Sequence, residues 1–376
     1  MKKLLPTAVL ALATLALLFA PAPGRRAAAD SRRASGRARV VAVDNSGVQL
    51  HGLVEYGTQR LTVEIPDRGV FAAENELRAQ PEFDKKFAVG DIASVTLPTT
   101  GAADEILLAR DHWRHGWLWG LFAAFSLLLV VFGGLTGLKA LFSFVFSCLA
   151  IWKLMIPLAL SGVHASSVAL ATVAVLTAVI VYLVAGWTRK AAAAAAGSLL
   201  GVVASLALAH FFARALTVNG ATMPFAQTLL YSGYAFLDLP DLFIGSIILA
   251  SSGAVMDLGM DIAAGVEEVR RHNPALGFRA LFGSGLRIGR AVVGTMTTTL
   301  LLAYSGGYLT LLMTFAAQGT APADFLNSTL VSAELVKTLV GSFGLVLVAP
   351  FTALVAAWIF AAAPRTGGEN EVAGSH

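Results

Sequence analysis

From Trp117 to Phe360 the chain is built from apolar runs of ~20 residues separated by short charged stretches. In hydrocarbon no water meets an unpaired backbone N–H or C=O, so a segment of this kind satisfies its own polar groups only as an α-helix. At ~20 residues per crossing there are about seven such runs, at 116–134, 141–161, 166–187, 191–212, 241–260, 288–308 and 334–360. Composition agrees: 56% of residues are hydrophobic and 13% charged, where a soluble domain carries about 25% charged residues. Mean hydropathy is +0.72. The expected fold is an α-helical polytopic membrane protein whose first partner is the lipid bilayer. The net charge of +4 does not point to nucleic acid, because Lys and Arg sit between the apolar runs and form no patch interleaved with aromatics. The single cysteine, Cys148, excludes an intrachain disulfide and any cysteine-based metal cluster.

Two segments precede the helices. Lys2 and Lys3, the apolar run Leu4 to Phe19 and the break Pro21-Ala22-Pro23-Gly24 follow the order of a signal peptide, with small-residue cleavage points after Ala22 or Ala29. An uncleaved anchor over residues 1–29 is the alternative, and no cysteine follows that would make a lipoprotein. Residues 30–112 differ in texture. RARVVAVD, VQLHGLVEY, RLTVEIP, DIASVTLP and DEILLAR are β-rich stretches parted by turn signals such as Asp44-Asn45-Ser46-Gly47 and Val89-Gly90-Asp91. About five strands in so short a segment predict a small β-barrel or sandwich of the OB or SH3-like kind, interrupted by a helix over Phe71 to Gln80. Coming after a signal segment, this domain is expected outside the cytoplasm. At its end, His112 and His115 on a helix would share a face, but two imidazoles fall short of a metal site. Trp113, Trp117 and Trp119 around them read as an interfacial aromatic belt.

With the barrel outside, Lys139, then Arg189 and Lys190, then a loop near 262–287, and then Arg365 of the polar tail 364–376 all fall on the cytoplasmic side. The positive-inside rule asks for that distribution. The helical domain, residues 113–363, is thereby expected to cross a bacterial cytoplasmic (inner) membrane several times. Gly197-x-x-x-Gly201, and Gly341 with Gly344, are small-residue devices for close helix packing. Pro157 and Pro350 are expected to kink their helices. Glu334 and Lys337, spaced i,i+3, satisfy each other at a helix end, while His164 and His210 lie near the ends of runs and need no role.

The functional signal lies in residues 251–310. Asp257 comes about fifteen residues after Leu242, ~22 Å into a hydrocarbon core ~30 Å thick. Asp261 follows one turn on, and Glu268 continues the stripe. Ionisable groups at such depth are costly unless paired, hydrated or used. Arg287 and Arg290 open the sixth run at the same depth and are the expected partners. Thr295, Thr297, Thr298 and Thr299 make the next turns polar, and Gly253, Gly294, Gly306 and Gly307 are candidates for hinges or close packing. Two readings are open: an Asp–Arg network joining two helices, with threonines bonded back to helix carbonyls, and a hydrated proton or cation relay on Asp257 and Asp261.

The segments GAVMDLGMDIAAGVEEVRRHNP and GSGLRIGRAVVGTMTTTLLLAYSGG, set in a multi-span layout behind a small β domain, resemble the YibE/F-like family of bacterial membrane proteins over residues 38–360. The resemblance implies a polytopic inner-membrane protein, makes a sister membrane subunit or a second copy a plausible partner, and carries over no catalytic residues. A second, weaker similarity is to the SecD/SecF and RND permease group, in which proton-coupled motion depends on polar residues near the membrane interior. In that analogy Asp257 and Thr295 to Thr299 occupy the comparable region. No GxSxG, Walker, HExxH or strand-borne GxGxxG sequence is present, so an enzyme is not expected, nor a cofactor. The leading reading is an ion- or proton-coupled permease or exporter of an unknown small solute or ion. The alternative is a non-transporting assembly or accessory protein whose β domain binds an extracytoplasmic partner.

Overall fold

The computed structural model describes residues 34–97 and 105–362. The signal peptide or anchor expected over 1–29 and the tail 364–376 with Arg365 lie outside the described residues. The chain divides into two compact units, one ending at Val131 and the other beginning at Phe132.

The first unit contains a six-stranded antiparallel-rich sheet: β1 Ser35–Asp44, β2 Val48–His51, β3 Val54–Ile65, β4 Gly69–Arg78, β5 Ile92–Thr96 and β6 Leu107–His112. β1 pairs with β5 at one end, from Ser35↔Thr96 to Arg39↔Ile92, and with β3 at the other, from Arg39↔Glu64 to Asp44↔Arg60. The sheet therefore closes into a barrel in the order β1-β5-β6-β4-β3-β1, and a register shift between Val40 and Ala42 lets β1 turn the corner. β4 and β6 run parallel. With β2 set aside, this connectivity is that of an OB-type Greek-key barrel. Alternate residues Ala38, Val40, Leu61, Val63, Phe71, Ala73, Ala93, Val95 and Leu107 fill the interior.

Two details of the barrel differ from expectation. VQLHGLVEY is not one strand but the β2–β3 hairpin, turning at Gly52 with φ 61°. Phe71 to Gln80 is not helical. The segment carries helix formers, yet its burial alternates, with Phe71, Ala73, Asn75 and Leu77 inward, and it pairs with β3 from Ile65↔Gly69 to Tyr56↔Arg78. A period of two with a full partner strand overrides the local preference of Ala and Glu. Its buried Asn75 donates to Gln59 Oε1 at 3.1 Å and to Lys85 O at 2.6 Å, and Gln59 in turn donates to Phe87 O at 2.9 Å. This satisfied polar pair pins residues 85–87 across the barrel.

The helices are α1 His115–Leu160, α2 Ala165–Ala185, α3 Arg189–Ala215, α4 Leu239–His272, α5 Phe278–Gly307, α6 Leu309–Ala317 and α7 Thr329–Ala361, with a short helix Pro322–Asn327 before α7. Five of them are long and apolar enough to cross a membrane, and α5 with α6, bent by 65°, makes a sixth candidate. The first two expected runs, 116–134 and 141–161, both fall within α1, 46 residues in which two helical stretches meet at a kink with no intervening loop. Lys139 is helical, and the one non-helical residue between the runs is Gly134, at φ 53° and ψ −129°. Pro157 follows a π-helical stretch, Ile151–Met155, whereas Pro350 sits within a continuous α7.

In the second unit α4 and α7 stand at the centre. Val255, Leu258 and Ile262 of α4 and Leu345, Val348 and Ala353 of α7 are buried together with Ala194 and Val202 of α3. Lipid removes the usual hydrophobic drive, so helix association rests on close packing, and the glycines show where it occurs. A Cβ on Gly197 would come 2.6 Å from Thr352 Cα, one on Gly201 would meet Val348 at 3.0 Å, and one on Gly341 would meet Ser251 at 3.3 Å. The two helix ends differ in charge. Arg189, Lys190, Arg270, Arg279 and Arg287 gather at one end, where Lys190 Nζ lies 3.3 Å from Glu267 Oε2. His164 and Asp241 mark the other. The loop expected over 262–287 shrinks to residues 273–277, because α4 and α5 both extend beyond their apolar cores.

Candidate functional site

Along α4 one narrow stripe is left uncovered: Ala250, Gly253, Asp257, Asp261 and Glu268 are exposed, while Val255, Leu258, Gly259 and Ile262 between them are buried. The spacing of three to four residues makes it one helix face. α4 starts at Asp238, whose carboxylate caps it by accepting from Asp241 N at 3.1 Å. With that start, Asp257 and Asp261 fall on turns well inside the apolar length. Glu268, nearer the end, accepts from Arg271 at 2.6 Å.

α5 lies beside this face. Gly265 of α4 opposes Ile288, and Gly289 of α5 opposes Ile262, so Asp261 and Arg290 stand at matching depth. The helices nevertheless turn these side chains away from their common seam. Among the described residues neither Asp257 nor Asp261 forms an ion pair or hydrogen bond, Arg290 has no partner, and Arg287 donates to Ser284 Oγ of its own helix at 3.0 Å. The expected Asp–Arg tie between α4 and α5 is therefore not made within the chain. The threonine hydroxyls are satisfied locally: Thr295 donates to Val292 O, Thr297 to Val293 O, Thr298 to Gly294 O and Thr299 to Thr295 O, at 2.8–3.1 Å. Thr295, Thr298 and Thr299 are nonetheless exposed. Gly253, Gly294, Gly306 and Gly307 have no heavy atom within 4 Å of a Cβ position, so close packing belongs to other glycines. Gly306 and Gly307 end α5 immediately before its 65° bend into α6.

A second polar site escaped the sequence. Asp241, 8% exposed, accepts from Ser166 N at 3.1 Å and lies 3.9 Å from His164 Nδ1. On one side it lines a largely apolar cavity of about 440 Å³ with Leu160, Leu229 and Phe236. On the other it lines one of about 490 Å³ to which His210, Arg214 and Asn219 bring polar groups among apolar ones. The only local signal was Asp238-x-Pro-Asp241, a helix start; nothing near it names Ser166, distant in sequence. The helix N-terminus of α2 favours the negative charge that Asp241 places there. Metal readings gain nothing: among the described residues no group of three or more His, Cys, Asp or Glu could hold an ion. His112 ends β6 while His115 begins α1, so the two do not share one helix, and His112 rests 4.6 Å from the Phe87 ring. Glu334 and Lys337 pair at 2.7 Å as expected.

A family model described as YibE/F-like protein matches residues 121–362, from within α1 through α7, and leaves the barrel outside the match. No curated protein and no solved structure matches the chain.

Proposed function

The chain belongs to the YibE/F-like protein family, and from that premise we propose that it is an ion- or proton-coupled permease or exporter in which Asp257 and Asp261 carry the coupling charge. The observation behind this reading is the placement of two carboxylates one turn apart at membrane depth, uncovered and without a basic partner among the described residues. An ion in that position is maintained by water or by protein, and a group that can take up and release a proton there couples a gradient to movement. On this reading the protein sits in the cytoplasmic membrane with its arginine-rich helix ends in the cytoplasm and moves a small solute or ion. The test is pH-jump current on solid-supported membranes carrying the reconstituted full chain. Wild type should give a current that Asp257→Asn abolishes at unchanged melting temperature. No current in wild type, or a mutant that only melts earlier, defeats the reading.

One feature favours a second reading, an accessory protein whose barrel binds an extracytoplasmic partner. The β2–β3 hairpin carries Leu50 and Leu53 at its tip, 70% and 100% exposed, and apolar side chains presented in this way mark interaction sites. On that reading the reconstituted wild type gives no pH-jump current, and Leu53→Glu should impair function in cells while leaving the melting temperature of the chain unchanged.

A further inference from the structure

We propose that the open α4–α5 face is the interface of a symmetric dimer, closed by a second copy of this chain about a two-fold axis parallel to the membrane normal. The face is not merely uncovered but self-complementary. Its α4 half is acidic through Asp257 and Asp261, and its α5 half is basic through Arg287 and Arg290, all four exposed. Rotation about the normal preserves depth, so an acid of one copy reaches a base of the other only where both stand at the same level in the membrane. Gly265 opposite Ile288 and Gly289 opposite Ile262 set that level and bring Asp261 and Arg290 to it. α4 against its own copy would oppose carboxylates, and α5 against its own copy would oppose guanidinium groups, so the pairing that the charges permit is α4 on the partner's α5. Gly253 and Gly294, with nothing within 4 Å of a Cβ position, leave room for the backbones to approach. The threonines already bonded to their own helix need nothing from the partner.

The inference deepens the coupling reading and rests on it for one point only: if Asp257 and Asp261 carry protons, the hydrated space is the one enclosed between two copies. The test uses the full chain with Cys148→Ser. Differently tagged copies bearing Gly253→Cys and Thr298→Cys, which the same register places at one depth, are co-expressed and oxidised in native membranes, with Val203→Cys on the exposed side of α3 as control. A disulfide should join the 253 and 298 copies and should not form at 203. In nanodiscs wild type should contain two chains, Asp261→Arg one, and Asp261→Arg with Arg290→Asp two again, a restoration that a merely destabilised chain would not show. One chain per nanodisc for wild type, or cross-linking indifferent to the charge swap, overturns the dimer and leaves the face to another protein or to water. The two ideas fail separately. A pH-jump current from single chains overturns the dimer and keeps the coupling, and charge-dependent dimers without current do the reverse.

Discussion

The carboxylate of Asp241, on the first turn of α4, accepts the backbone N–H of Ser166, on the first turn of α2, at 3.1 Å. A side chain thus caps a helix other than its own. The charge sits where α2 exposes unpaired N–H groups and a partial positive charge. Asp241→Ala should cost about 1–2 kcal/mol, the usual cost of losing a charged cap, read as a lower melting temperature of the full chain in detergent. Asp241→Asn, which keeps an acceptor, should lose less. Equal melting of wild type and alanine variant would mean that the contact contributes nothing.

Gly197 and Gly253 should answer differently to the same substitution. Gly197→Val pushes against Thr352 backbone and should destabilise the chain by about 1–3 kcal/mol or more, seen as lost monodisperse protein on size exclusion. A Cβ on Gly253 meets no other described residue within 4 Å, so Gly253→Val should leave the melting temperature of the single chain in detergent unchanged. If both variants behave alike, the α3–α7 contact is not the tight one.

Asp111 gives the barrel an acid-sensitive corner. Partial burial raises its pKa, but the His112 N–H and the Arg114 guanidinium, both at 2.7 Å, outweigh that and hold it below the usual aspartate range. A folded pKa below the unfolded one contributes stability above the unfolded value, ~3.9, and loses it as pH falls through the folded value. Hydrogen exchange at β6 amides of the full chain should therefore accelerate as pH drops below ~4 after correction for intrinsic rates. In Asp111→Asn this acceleration should be largely absent, and an identical profile in the two proteins would count against the assignment.

The side of the membrane that the barrel occupies tests how α1 runs. The 46 residues of α1, kinked at Gly134, are enough for two crossings of a ~30 Å core at 1.5 Å per residue. Two crossings put the barrel and the α1–α2 turn at Gly162 on the same side, and one crossing separates them. In a Cys148→Ser background, single cysteines at Leu53 and Gly162 should both react with a membrane-impermeant maleimide added to spheroplasts. Labelling at Gly162 alone would establish a single crossing and a cytoplasmic barrel.

The sequence by itself determined the elements whose signal is local. Twenty apolar residues are helical in lipid whatever lies beside them, and Ala38, Val40, Leu61 and Val63 alternate as barrel strands must. The polar block at Asp257, Asp261, Arg287 and Arg290 was legible for the same reason, since depth follows from counting along a helix. The same local reading failed at Phe71 to Gln80, where helix formers became β4 once β3 offered a full ladder. The direction in which each charge points was decided by tertiary structure. Asp257 and Asp261 make no ion pair with Arg287 and Arg290 although Gly265 and Gly289 bring α4 and α5 into contact, and Asp241 finds Ser166 only when α2 and α4 pack. Such contacts join residues far apart in sequence, and no periodicity within either segment encodes the angle at which two helices meet.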